Sequence, residues 1–127
     1  MAGPAYYTAQ VNIAMNDDWI VSFIYGTPNA DGTPGPPIDL TGSTLKMEMR
    51  GHESDNEALL WVDSNPGNGI YITNATDGAF TVVLDRANHL QRLAPGNYVI
   101  DLVRLMPDGY QERLFEGTAT VVEGTTR

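Results

Sequence analysis

Two histidines, four serines and a scatter of acidic residues are the groups in this chain with the means to do chemistry. A histidine can serve as general base or metal ligand, but His52 and His89 stand in no HxH or HExxH spacing, so both read as ordinary surface histidines. Asp17 with Asp18, and Asp63 with Asn65 and Asn68, offer oxygen ligands for calcium. Neither set has the regular ligand interval of a calcium loop, which favours turn-forming roles. Ser22, Ser43, Ser54 and Ser64 are all outside a GxSxG elbow. The stretch "GTPGPP" lacks the lysine of a phosphate loop and runs towards a strand where a helix would be required. Carboxylate pairs exist, but no spacing brings two of them across a cleft. These residues predict a non-enzymatic protein with no metal, no cofactor and no catalytic set.

The aromatic residues are better candidates for binding. Trp61 and Tyr71, beside the "SNPGN" and "TNAT" loops, could supply the exposed rings and amides of a carbohydrate site. Trp19 and Tyr98 fall at inward strand positions and are expected in the core. Tyr6 and Tyr7 follow Pro4 near the start of the chain, where two tyrosines suit a protein interface at low entropic cost. Packing of Tyr7 as the first residue of a strand is an equal alternative.

Charge narrows the partners. The 127 residues carry 16 acids against 7 bases, a formal charge of −9, and Lys46 is the one lysine. A nucleic-acid binder needs cations to displace counterions from phosphate, so nucleic acid is not expected as a partner. The acids are scattered rather than blocked, as on a soluble surface. No apolar run approaches the roughly 18 residues of a membrane span, and "MAGPAYYTAQ" has neither the basic nor the apolar region of a signal peptide. With no cysteine, disulfides are excluded and synthesis in the cytoplasm is the simplest expectation.

The elements that would position any site repeat with period two. "YTAQVNIAM" (7–15), "TLKMEMR" (44–50) and "AFTVVLD" (79–85) alternate, whereas "WIVSFIY" (19–25) is apolar on both faces apart from Ser22 and reads as a central strand. "ALLWVD" (58–63), "GIYIT" (69–73), "NYVIDLVRLM" (97–106) and "YQERLFEGTATVV" (110–122) complete the set. The last two flank Pro107-Asp108-Gly109, the strongest hairpin signal. One segment has helical character, residues 85–93, with Asp85 as N-cap and "APG" as its stop. The expected fold is all-β: one domain over 1–127, an antiparallel immunoglobulin-like β-sandwich of about seven to eight strands with one short helix near 85–93. Residues 1–7 would form an N-terminal arm and 123–127 a C-terminal tail. Residues 26–43 hold four of the eight prolines and would form a stiff crossing loop.

Taken in order, "DDWIVSFIY", "PIDLTGSTLKMEMR", "NGIYITNATDGAFTVVLD" and "RANHLQRLAPGNYVIDLVRLMPDGYQERLFEGTATVV" resemble small bacteriophage virion proteins, specifically the immunoglobulin-like N-terminal domain of phage baseplate upper proteins. The resemblance covers roughly residues 17–127. It implies that Asp39, Leu40, Thr41 and Gly42 form a structural turn seating the second sheet. It also implies a phage structural protein, found in the virion after synthesis in the host cytoplasm, with other virion proteins as partners. Because baseplate upper proteins continue beyond this domain, the expectation is an adaptor or anchor subunit at the tail, baseplate or fibre attachment region. It would be present as a homo-oligomer or in multiple copies, docking through Tyr6, Tyr7 and Arg127. A capsid decoration protein and a carbohydrate-binding host-attachment module are the alternatives.

Overall fold

The computed structural model describes residues 7–123 apart from 28, 32, 34, 53–57, 91 and 92, with residues 7–10 described by backbone alone. Eight strands follow in chain order: β1 (Tyr7–Ala14), β2 (Trp19–Ile24), β3 (Thr44–Arg50), β4 (Leu60–Asp63), β5 (Ile70–Asn74), β6 (Ala79–Leu84), β7 (Gly96–Leu105) and β8 (Gln111–Val122). They form a five-stranded sheet, β1-β8-β7-β3-β4, and a three-stranded sheet, β2-β6-β5. The eight strands coincide, to within about two residues, with the eight strand-like runs of the sequence. The two sheets make a β-sandwich.

Period-two patterning explains the packing. Leu45, Met47 and Met49 of β3 and Ile100 and Leu102 of β7 point inward to meet Phe80, Val82 and Leu84 of β6, all buried. Phe23 bridges the sheets, its ring 5.2 Å from Phe80 and 5.7 Å from Phe115 between centroids. Offset aromatic contacts at this range add to the area they bury.

Three expectations are corrected. Pairing is not wholly antiparallel, because β1 runs parallel to β8, with Tyr7 opposite Phe115 and Ala14 opposite Val122. After β1 the chain crosses to the other sheet to make β2, so β1 has no hairpin partner and is held by the C-terminal strand; Met15 N–H continues the pairing to Val122 O at 2.8 Å. Secondly, β2 is an edge strand, bonded to β6 alone. Trp19, Val21 and Phe23 are half-buried while Ile20, Ser22 and Ile24 face solvent. Thirdly, no α-helix occurs among the described residues of 85–93, where the chain makes turns and Leu90 has 3₁₀ geometry. Asp85 does cap the segment: its carboxylate accepts from Asn88 N–H at 2.6 Å and its carbonyl from His89 N–H at 3.0 Å. The chain then tightens, Leu93 N–H reaching Leu90 O. Pro95 beyond it disfavours helical backbone at Ala94, so one turn forms and stops.

The Gly/Pro-rich loop folds back on the end of β2. Thr27 N–H bonds Pro36 O, Ile38 N–H bonds Tyr25 O, and Leu40 N–H bonds Ala75 O. Its exit is an Asx turn in which the Asp39 carboxylate accepts from Thr41 N–H at 2.8 Å and from the Thr41 hydroxyl at 2.6 Å. Leu40 is fully buried and Gly42 takes φ +75°, the left-handed region that glycine enters without penalty.

Candidate functional site

Among the described residues, those singled out for chemistry are scattered, apart from Asn68 and His89, which share a cleft with Trp61. The Asp63 carboxylate accepts from Asn65 N–H at 2.9 Å and the Asn68 amide at 3.0 Å, so it organises its own turn. Asp18 accepts from Arg86 N–H at 2.7 Å and ties the β1–β2 turn to the segment after β6. His89 Nδ1 accepts from Asp85 N–H at 3.1 Å, and His52 lies on an exposed loop. Ser43 and Ser64 serve the frame: Ser64 Oγ accepts from Leu45 N–H and Ser43 Oγ from Arg104 Nε, both at 2.9 Å. Ser54, Tyr6 and Arg127 lie outside the described residues. Tyr7 begins β1 opposite Phe115. Among the described residues, no group of three acidic or histidine side chains could hold a metal ion.

Trp61 and Tyr71 do not share a binding face. Trp61 lines a cleft of about 320 Å³ with Leu59, Asn68 and His89, while Tyr71 lines another with Ser64, Asn65 and Ile72; both clefts touch Gly67. The amides near Trp61 are engaged in turns, Asn68 on Asp63 and Asn88 on Asp85.

Two surfaces went unnoticed in the sequence. On the outer face of the five-stranded sheet, Glu48 stands opposite Asp101, and Asp101 opposite Glu116, a row of three carboxylates across β3, β7 and β8. Like charges directly opposed destabilise a sheet, and here cations flank them. Lys46 reaches Glu48 at 3.1 Å, Arg50 pairs with Glu48, and Arg113 reaches Glu116 at 2.9 Å. Burial opposes ionisation of Glu48, but hydrogen bonds from Lys46 and Arg50 outweigh it and hold its pKa below the ordinary value. Asp101 is pushed the other way, first by burial and then by Glu48 and Glu116, against the partial relief of Arg113 and Arg50. The folded state therefore binds the Asp101 proton more tightly than the unfolded chain does. Stability from this group is present below the unfolded pKa, about 4, and is lost as pH rises through the folded value. Asp101→Asn should accordingly raise Tm at neutral pH, and the gain should vanish on acidification below about pH 4. Thermal melts across pH check this; an unchanged or lowered Tm at neutral pH contradicts it.

The second surface is the outer face of the three-stranded sheet. Ile20 is 60% exposed, Ile24 71% and Tyr71 47%. With Ser22, Thr81 and Val83 they make a face whose three strands, "WIVSFI", "IYITN" and "AFTVVL", contain no charged residue. The Ser22 and Thr81 hydroxyls satisfy one another at 2.9 Å. This face stands out on a chain of net charge −9, because monomeric proteins seldom leave large contiguous apolar patches exposed. Its sequence signal was the alternation inside "WIVSFI", where both aromatics fall on one parity and both isoleucines on the other.

No family model and no curated protein matches the chain. Among solved structures it is similar to the crystal structure of CopC from Methylosinus trichosporium OB3b, at 16% identity and a TM-score of 0.43, over 94% of this chain and 91% of that one. That likeness assigns this chain no ligand, metal or activity. None of these comparisons supports the phage structural role expected from the sequence, as adaptor, anchor or capsid decoration protein, and that expectation is withdrawn.

Proposed function

We propose that the chain is a non-enzymatic protein-interaction domain, an immunoglobulin-like sandwich that docks a protein on the outer face of its three-stranded sheet. The observation that carries this reading is the exposure of Ile20, Ile24 and Tyr71 together on a sheet face without charge, in a chain of net charge −9. Apolar area of that kind is buried at the centre of protein interfaces. The immunoglobulin-like arrangement is supported by the strand order and by Tyr98, near the start of β7, whose hydroxyl donates to Ala94 O in the manner of a tyrosine corner.

A photo-reactive amino acid placed at position 24, and separately at position 118 on the other sheet, tests the assignment in the native cells. Position 24 should give covalent protein adducts and position 118 few or none. Adducts at 118 with none at 24 would move the interface to the charged face and end this reading.

A further inference from the structure

We infer that the partner is a second copy of the same chain, joined edge to edge through β2 so that two three-stranded sheets become one of six and Ile20 and Ile24 of the two copies meet across the seam. This rests on the interaction-domain reading above and adds the identity of the partner.

The backbone of β2 has one unused side. Tyr25 N–H donates to Gly78 O at 2.9 Å, on the side of β6. Strand alternation therefore turns the N–H and C=O groups of Trp19, Val21 and Phe23 toward β6, and those of Ile20, Ser22 and Ile24 toward the open edge. Among the described residues no strand lies on that side. Exposed edges are normally blunted by charge, proline, a bulge or shortness. β5 has a register shift between Ile72 and Asn74, and β4 is four residues long with the Lys46 ammonium 5.4 Å from the Trp61 ring centroid. β2 has none of these devices, and its register with β6 is unbroken from Trp19–Leu84 to Ile24–Ala79. β1, an edge that like β5 carries no charge, exposes Asn12 where β2 exposes isoleucine.

Charge and symmetry select a second copy over an unrelated protein. An antiparallel pair of β2 strands with its two-fold axis at Ser22 places Ile20 opposite Ile24 of the second copy, and Val21 opposite its Phe23. The sequence is thus self-complementary, as an isologous contact requires. Ile20, Ser22 and Ile24 would each exchange two backbone hydrogen bonds with the residue facing it. Two chains of charge −9 repel, so their contact is favoured where charge is absent, and these three strands provide that face. The nearest acid, Asp18, lies four residues from the axis. The two Asp18 side chains would stand about 26 Å apart at ~3.3 Å per residue, beyond a screening length of about 8 Å at physiological salt.

Native mass spectrometry and light scattering on the full chain test this, with two variants. The wild type should run at twice the 13.8 kDa of one chain, and Ile24→Lys should run at half the wild-type mass with an unchanged circular dichroism spectrum. Since the chain has no cysteine, Ser22→Cys should cross-link quantitatively to a covalent dimer under mild oxidation, and Asn12→Cys should not. A wild type that stays monomeric, or a dimer that cross-links through position 12 but not 22, overturns the proposal. A monomer that still gives adducts with another protein from position 24 would leave the interaction-domain reading intact while removing the second copy as partner.

Discussion

Gly78→Ala is expected to destabilise the fold by about 2–5 kcal/mol, although it adds a single methyl group. Two costs combine. Gly78 sits at φ +66°, where a Cβ costs roughly 1–2 kcal/mol. The added Cβ would also stand 2.4 Å from Tyr25 O and 2.8 Å from Ile38 O. Both are backbone atoms that cannot rotate away, and overpacking of this kind costs about 1–3 kcal/mol. The position is also a junction: Gly78 O accepts from Tyr25 N–H, and Gly78 N–H bonds Ala75 O. Relief by movement would break the pairing between the end of β2, the returning loop and the start of β6. Gly109 supplies the control, with φ +93° and open space where its Cβ would project. Gly109→Ala should show the conformational cost alone. Urea denaturation of the two variants separates the terms; equal midpoints would mean that the junction yields to the methyl group.

How far the sequence disclosed this architecture depends on whether the information was local. Alternation and short apolar runs between turns located all eight strands to within about two residues, because that information is written in each strand. Sheet membership is not local. "WIVSFIY" reads as central because both parities are apolar, and only the pairing of β2 with β6 alone leaves Ile20 and Ile24 in solvent. The same lack of local information hid the parallel placement of β1, which depends on a strand about a hundred residues further on. The segment 85–93 failed for another reason. Its cap was correctly legible in Asp85, but a cap satisfies N–H groups at a helix start and does not supply the length that makes a helix persist. The carboxylate row of Glu48, Asp101 and Glu116 was hidden because it is defined by register across three strands.

Arg104→Met is expected to cost about 3–5 kcal/mol, the range for removing one partner of a buried ion pair. Arg104 follows Tyr98, Ile100 and Leu102 on the inward parity of β7, so a charge occupies a position that alternation reserves for an apolar side chain. It is accommodated because each of its three guanidinium nitrogens has an acceptor. Nε donates to Ser43 Oγ at 2.9 Å, one terminal nitrogen to Glu112 Oε1 at 3.0 Å, and the other to Asp39 O at 2.9 Å. Methionine restores much of the volume but strands the Glu112 carboxylate with only the Tyr25 hydroxyl, at 3.3 Å. Glu112 keeps 21% of its side-chain exposure, which places the loss toward the lower end of the range. Adding Glu112→Leu should recover stability relative to Arg104→Met alone, since the stranded charge is then gone. A double-mutant cycle with no such recovery would show that the pair contributes little and that the loss comes from packing. The bond to Asp39 O gives a second readout. Arg104 holds the turn that leads from the crossing loop into β3, and that loop is bonded to Tyr25 at the end of β2. Hydrogen exchange at Leu40 and Ser43 should therefore quicken in Arg104→Met, and association through β2 should weaken with it. Faster exchange with undiminished association would confine Arg104 to stability and leave the β2 edge independent of the loop.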